Sequence, residues 1–128
     1  GDVVTKAWAN NSGITAYGVE TGATSTVDGS DNMALLTANY EDTDAAKYCE
    51  DMHYGGFTDW FLPAQDELDF LYSNKALLGG FAASYYWSST EADATNGRRQ
   101  SFSDGNQSNG DKSGINYVRC ARYYTRPR

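Results

Sequence analysis

The side chains able to do chemistry are few and scattered. The single histidine, His53, has neither a cysteine nor a second histidine at metal-ligand spacing, so a surface or capping role suits it. Cys49 and Cys120 are the only cysteines and form no C-x-x-C pair. Asp66, Glu67 and Asp69 crowd one short run, but acids at a helix start are explained by the helix dipole. The chain carries no G-x-S-x-G, no H-E-x-x-H and no phosphate-cradling loop. In "DGNQSNGDKSGIN", Asp104, Asn106 and Ser108 alternate as the ligands of a calcium loop do. The glycine of that loop falls one place late, and Ile115 stands where a bidentate glutamate is required. The expectation is a protein that is not an enzyme and uses no metal or cofactor.

What the chain has in quantity is polar surface. The stretch "QSFSDGNQSNGDKSGIN", residues 100–116, is rich in Ser, Asn, Asp and Gly and runs straight into "YVRCARYY". A linker belongs between domains or at a chain end, and this stretch precedes the last core strand. The whole chain has 128 residues, 40% of them hydrophobic and 14% aromatic, which supports one domain with a small core. The net charge is −7, against non-specific binding to nucleic acid or to an anionic membrane. The arginines gather late, at Arg98, Arg99, Arg119, Arg122, Arg126 and Arg128. No segment approaches the ~20 apolar residues of a membrane span, and no signal peptide is evident, Gly1 reading as an added residue.

The elements that must hold this polar stretch are legible in part. Residues 1–40 read as short strands and loops, with a turn at "VDGSDN". Asp42, Thr43 and Asp44 open a helix whose apolar stripe is Ala45, Cys49 and Met52, ended by Gly55–Gly56. A second helix follows Pro63, placed in its first turn, with Leu68, Leu71 and Tyr72 as its buried stripe and Gly79–Gly80 as its stop. "YYWSSTE", "RRQSF" and "INYVRCARYY" then read as strands. In the last, Val118 and Cys120 share one face, and Tyr117, Arg119 and Ala121 the other. No helix separates these strands, which argues against a parallel βαβ fold. The cysteines are open to two readings, a pair of buried thiols or a long-range disulfide. A bridge would close a loop of about 70 residues, contribute roughly 4 kcal/mol and belong outside a reducing cytosol.

Several pieces occur in one order: "AAKYCEDM", "GGFTDWFLPAQDELDFLY", "YYWSSTE", the F-x-x-G of Phe102 to Gly105, Lys112 and "VRCAR". In these the chain resembles the C-type-lectin-like domain at the C-terminus of bacterial collagen-like adhesins, a relative of the formylglycine-generating-enzyme type of lectin fold. The likeness covers roughly residues 20–124. It implies a single α+β domain over residues 1–128, with two helices packed on a small twisted antiparallel sheet. It also implies termini close together and a long exposed loop and strand region near the C-terminus. It further implies a disulfide between Cys49 and Cys120. The copper-binding cysteine pair of the enzymatic relatives has no counterpart, and neither have the E-P-N or Q-P-D and W-N-D triplets of calcium-dependent lectins. Ala64 stands where the family often has a capping Ser or Thr, leaving only Glu67 of a capping box and putting about 1 kcal/mol of helix stability in doubt.

The resemblance reaches the variable proteins of diversity-generating retroelements, in which adenines near the gene's 3′ end are randomised. An Asn codon, AAY, becomes NNY, which cannot encode Gln, Lys, Glu, Met or Trp. From Asp93 onward the only such residues are Gln100, Gln107 and Lys112. Lys112 is a family position, and the two glutamines would be framework. The candidate contact residues are then Asp93, Thr95, Asn96, Arg98, Arg99, Ser101, Ser103, Asp104, Asn106, Ser108, Asn109, Asp111, Ser113, Asn116 and Tyr117. Trp87, Phe102, Val118 and Cys120 would be their supporting core, and the contacts are expected on one exposed face. Ser, Asn, Gly and Tyr suit such a surface because they give adaptable hydrogen bonds and aromatic contact. The function this implies is recognition of an extracellular protein or surface glycan, displayed on a bacterial surface or phage particle. The chief rival is a fixed adhesin tip binding acidic glycans, which requires Arg98, Arg99 and Arg119 to cluster. The third reading is a structural module without a ligand.

Overall fold

The computed structural model describes residues 4–123, so Gly1, Arg126 and Arg128 lie outside the described residues. Five strands form one mixed sheet in the order β1-β5-β2-β3-β4: β1 Val4–Ala7, β2 Tyr85–Glu91, β3 Asn96–Ser101, β4 Gln107–Asp111 and β5 Ile115–Val118. The first strand pairs antiparallel with the last, Val4 opposite Val118, which brings the two ends of the described chain together. One pair, β2 with β5 through Tyr86 and Tyr117, is parallel, and this departs from the antiparallel expectation. The turns into β3 and into β4 reverse the chain twice, and β5 then runs in the direction of β4, so it lies parallel beside β2 without a crossover helix.

Among the described residues there are four helices rather than two: three pack on the sheet, and the expected second helix is split into a longer and a short piece. The unexpected one, α1 (Gly29–Asn39), lies where short strands and a turn were expected. Its missed signal is the N-cap: Asp28 accepts from the Asp31 amide at 3.1 Å. Its buried face, Gly29, Asn32 and Leu36, is mostly small or polar and so gives no apolar stripe. Asn32 is satisfied by Ser25 and by Ser89 Oγ. Gly29 must be glycine, because a Cβ there would stand 2.3 Å from the Leu62 carbonyl oxygen.

The helix α2 (Asp44–Glu50) begins after Thr43 and buries Ala45, Ala46 and Cys49, while Met52 lies beyond its end, before the 3-10 turn Tyr54–Gly56. Asp42 is not a cap. Its buried carboxylate accepts from the amides of Asn11, Ser12 and Ala16 and from the Thr15 hydroxyl, tying down an early loop. Pro63 likewise falls before the helix, not in its first turn: α3 spans Gln65–Ser73 after Ala64, and α4 spans Lys75–Leu78. Ala64 offers no side-chain acceptor, and tertiary partners take up the orphan donors. Gln65 N–H donates to Thr90 Oγ1 at 2.9 Å and Asp66 N–H to the Thr26 carbonyl at 2.7 Å. Glu67 reaches back to the amides of Ala64 and Gly29. The missing cap is thus offset by long-range bonds that a sequence cannot show.

Two apolar clusters result. One gathers Trp8, Leu36, Ala45, Cys49, Leu62, Trp87, Val118 and Cys120, and Cys49 is bonded to Cys120 within it. The other gathers Leu68, Tyr86 and Phe102 with Leu71, Tyr72, Phe81 and Tyr117. A buried ion pair joins the loops to the sheet. Lys112 Nζ donates to Glu91 Oε2 at 2.7 Å and to the carbonyls of Ala16 and Val19, and lies 4.8 Å from the centre of a Trp8 ring.

Candidate functional site

The polar stretch belongs to a strand hairpin. Its second half, Gln107–Asp111, is the edge strand β4, paired residue by residue with β3 from Asn96–Asp111 to Gln100–Gln107. An edge of Gln, Ser, Asn, Gly and Asp is a poor template for further strand addition, which explains why so polar a sequence can serve there. The hairpin is anchored at its bend by the F-x-x-G pair. Phe102 is buried against Tyr86 and Phe81, and its carbonyl accepts from Lys75 Nζ. Gly105 has φ of +82° and leaves no room for a Cβ, which would meet Tyr72 at 2.6 Å. Lys112 fixes the far end. The expected supporting residues Trp87, Phe102, Val118 and Cys120 are all buried.

Strand alternation divides the fifteen candidate residues. This corrects the expectation of one face. Register puts Arg99, Ser101 and Ser108 with Trp87 on one side of the sheet, and Asn96, Arg98, Asn109 and Asp111 on the other. Ser101 is buried, its hydroxyl bonded to that of Ser103. Tyr117 packs on Tyr86 with ring centres 5.4 Å apart. Of the remaining candidates, Asn116 lies in β5, and the others occupy the bends: Asp93 and Thr95 between β2 and β3, Ser103, Asp104 and Asn106 between β3 and β4, and Ser113 before β5. All six are exposed. The two glutamines assigned to the framework are bonded into it, Gln100 to Asp69 and Gln107 to Gln65.

On the Trp87 side, Arg99 is the centre of a half-exposed group. Its guanidinium lies 4.0 Å over the Tyr85 ring, donates from Nε to Ser108 Oγ at 3.2 Å and reaches Asn116 Oδ1 at 3.4 Å. Gly110 lets it lie flat, since a Cβ there would meet Arg99 Cδ at 2.9 Å and the Trp87 ring at 3.0 Å. Tyr85 was absent from the sequence-derived set, and its place opposite Ser101 in β2 is what brings it in. On the other side Arg98 donates to Gln65 Oε1 and Asn109 Oδ1. Neither arginine has a carboxylate at salt-bridge distance among the described residues. Arg98 and Arg99 leave opposite faces of β3, and Arg119 is held at the Gly79–Gly80 turn, so the three do not form one basic patch.

The acids of the hairpin serve its turns. Asp93 accepts from the amides of Thr95 and Asn96, and the Thr95 amide bond is the main reason its pKa is lowered. Asp111 is held low chiefly by the Ser113 hydroxyl, and it raises the pKa of Tyr17, whose hydroxyl donates to it. No helix among the described residues is long and apolar enough to cross a membrane.

Comparison with known proteins shows the same fold elsewhere. The chain superposes on part of a fimbrial protein from Bacteroides ovatus with a TM-score of 0.59 at 19% identity, over 93% of this chain and 34% of that one. It thus spans about a third of that protein's length. No curated protein matches in sequence. A family model, the Lcl C-terminal domain, matches residues 5–122, and the chain belongs to that family.

Proposed function

We propose that this chain is a ligand-binding domain of the receptor or adhesin type, not an enzyme, that recognises a protein or glycan outside the cell. The observation that carries the reading is the group around Arg99. A half-exposed guanidinium with no carboxylate at salt-bridge distance among the described residues is held on a tyrosine ring and offered between a hydroxyl and an amide, above a buried tryptophan. Such a group recognises acceptor atoms of a partner. The Cys49–Cys120 bond suits an oxidising compartment, and the bacterial surface or a phage particle is the location we infer. The separation of Arg98, Arg99 and Arg119 weighs against the rival tip for acidic glycans, because no single patch concentrates their charge.

Within this reading the hairpin surface is diversified by a retroelement, with Phe102, Gly105 and Lys112 as fixed anchors. The gene's surroundings test it: a near-copy of the 3′ coding end differing at adenines, beside a reverse transcriptase, is expected. Absence of both would leave a fixed adhesin. Display capacity is tested directly by a library randomised at Arg99, Ser108, Asn109, Asp111 and Asn116 and selected against immobilised lysozyme. Folded binders are the expected yield. General loss of folding across the library would overturn the reading.

A further inference from the structure

Away from the hairpin lies a second concave surface. A cleft of about 520 Å³ opens between α2, the Tyr54–Gly56 turn, α3–α4 and the end of the last strand. That volume is in the range of ligand sites. Its walls are aromatic and aliphatic: Tyr48, Tyr54, Trp60, Leu78 and Phe81, over a floor that includes Cys120 of the disulfide. Tyr54 is 61% exposed and Leu78 49%, so the cleft leaves large apolar groups open to water.

The charges at this cleft are unequal. Arg122 is neutralised by Asp59, with Nε to Oδ1 at 2.7 Å. Arg119 is not. It stacks 4.2 Å over Phe81 and donates only to the carbonyls of Gly79 and Gly80, with no carboxylate at salt-bridge distance among the described residues. In a chain of net charge −7, an apolar cleft edged by an unpaired arginine calls for an occupant both apolar and acidic. The rings further restrict its shape. Tyr54 and Trp60 meet edge to face at 61°, with centres 6.1 Å apart. They make a notch for a side chain rather than the flat platform that a sugar ring stacks on.

We propose that this cleft binds an extended peptide of a protein partner, an apolar side chain seated between Trp60 and Leu78 and a neighbouring acidic side chain on Arg119. This site is separate from the Arg99 group and stands or falls without it. The test is a titration of the isotope-labelled whole chain with the acetylated, amidated peptide Gly-Asp-Phe-Leu-Asp-Gly, followed by nuclear magnetic resonance. The Trp60 indole N–H and the Arg119 signals are expected to shift saturably. A peptide with Lys for both Asp, and one with Ala for Phe and Leu, are each expected to bind at least about tenfold more weakly. Arg119→Gln is expected to lose about tenfold in affinity. Leu78→Asp, at a half-exposed position, is expected to abolish binding. Arg99→Ala is expected to leave it unchanged. The proposal is overturned if the cleft signals do not move, if the lysine or alanine peptide binds equally, or if palmitate shifts them and the peptide does not. It is equally overturned if they move with protein concentration alone, since a second copy would then be the occupant.

Discussion

Two regions of this molecule are equally polar and behave oppositely. Around Trp8, the polar groups Asp42, Glu91 and Lys112 are buried and bonded to chain segments far away in sequence. Around the β3–β4 hairpin, Arg99, Ser108, Asn109 and Asp111 are partly or fully exposed and bond mostly to near neighbours. The first set holds loops to the sheet, and the second offers its remaining donors and acceptors outward. Residue type does not separate a clamp from a display surface. Burial of the partner does, because a polar group withdrawn from water must have its bonds made inside.

This contrast can be broken by substitution. The largest effect is expected at Lys112. Lys112→Ala strands the buried Glu91 carboxylate and should cost about 3–5 kcal/mol, read by urea unfolding. A cost near that of a surface residue would sink the clamp. Asp42→Ala removes the acceptor of four bonds and should cost about 2–3 kcal/mol in the same assay. Thr90→Val removes the acceptor that caps α3 and should cost about 1 kcal/mol, sharpening the claim that a tertiary bond replaces the cap absent at Ala64. Arg99→Ala sits at the other extreme, with a stability change within about 0.5 kcal/mol and a loss of ligand binding. A large loss of stability there would place Arg99 among the clamps. The smallest effect concerns pH. Asp93 and Asp111 titrate below the ordinary aspartate value of 3.8, so their contribution is present above that value and fades as pH falls through the lowered one. Amide signals of Thr95, Asn96 and Ser113 should therefore shift below pH 3.8 without global unfolding. Unchanged signals in that range would remove the two acids from the turns.

Much of the fold was legible where period and punctuation agree. The strand "YYWSSTE" is where its residue types placed it, and Ala45 and Cys49 of the expected stripe are buried in α2. The strand β4 was not, because Gln107–Asp111 has no apolar alternation and is a strand only through its pairing with β3. The helix α1 was hidden for the converse reason, since it buries Gly29 and Asn32 where a hydrophobic stripe would signal a helix. In the candidate site, the anchors Phe102, Gly105 and Lys112 stood out by motif, and the core under them is buried as expected. The sorting of the contact residues was not readable. It depends on which residue faces which across β2, β3 and β4, including the register shift between Trp87 and Glu91.

By itself, then, the sequence determined the residue types, the order of the motifs and the presence of two cysteines able to form a long-range bridge. It also determined that the hairpin is built from Ser, Asn, Asp, Gly and Arg rather than apolar residues. Only the tertiary structure decided that Arg98 and Arg99, adjacent in the chain, serve opposite faces, and that Tyr85 joins Arg99. It alone decided that Arg119 faces an aromatic cleft with no carboxylate beside it among the described residues. The reason is physical: composition sets what a side chain can bond, and pairing register and packing set what comes within its reach.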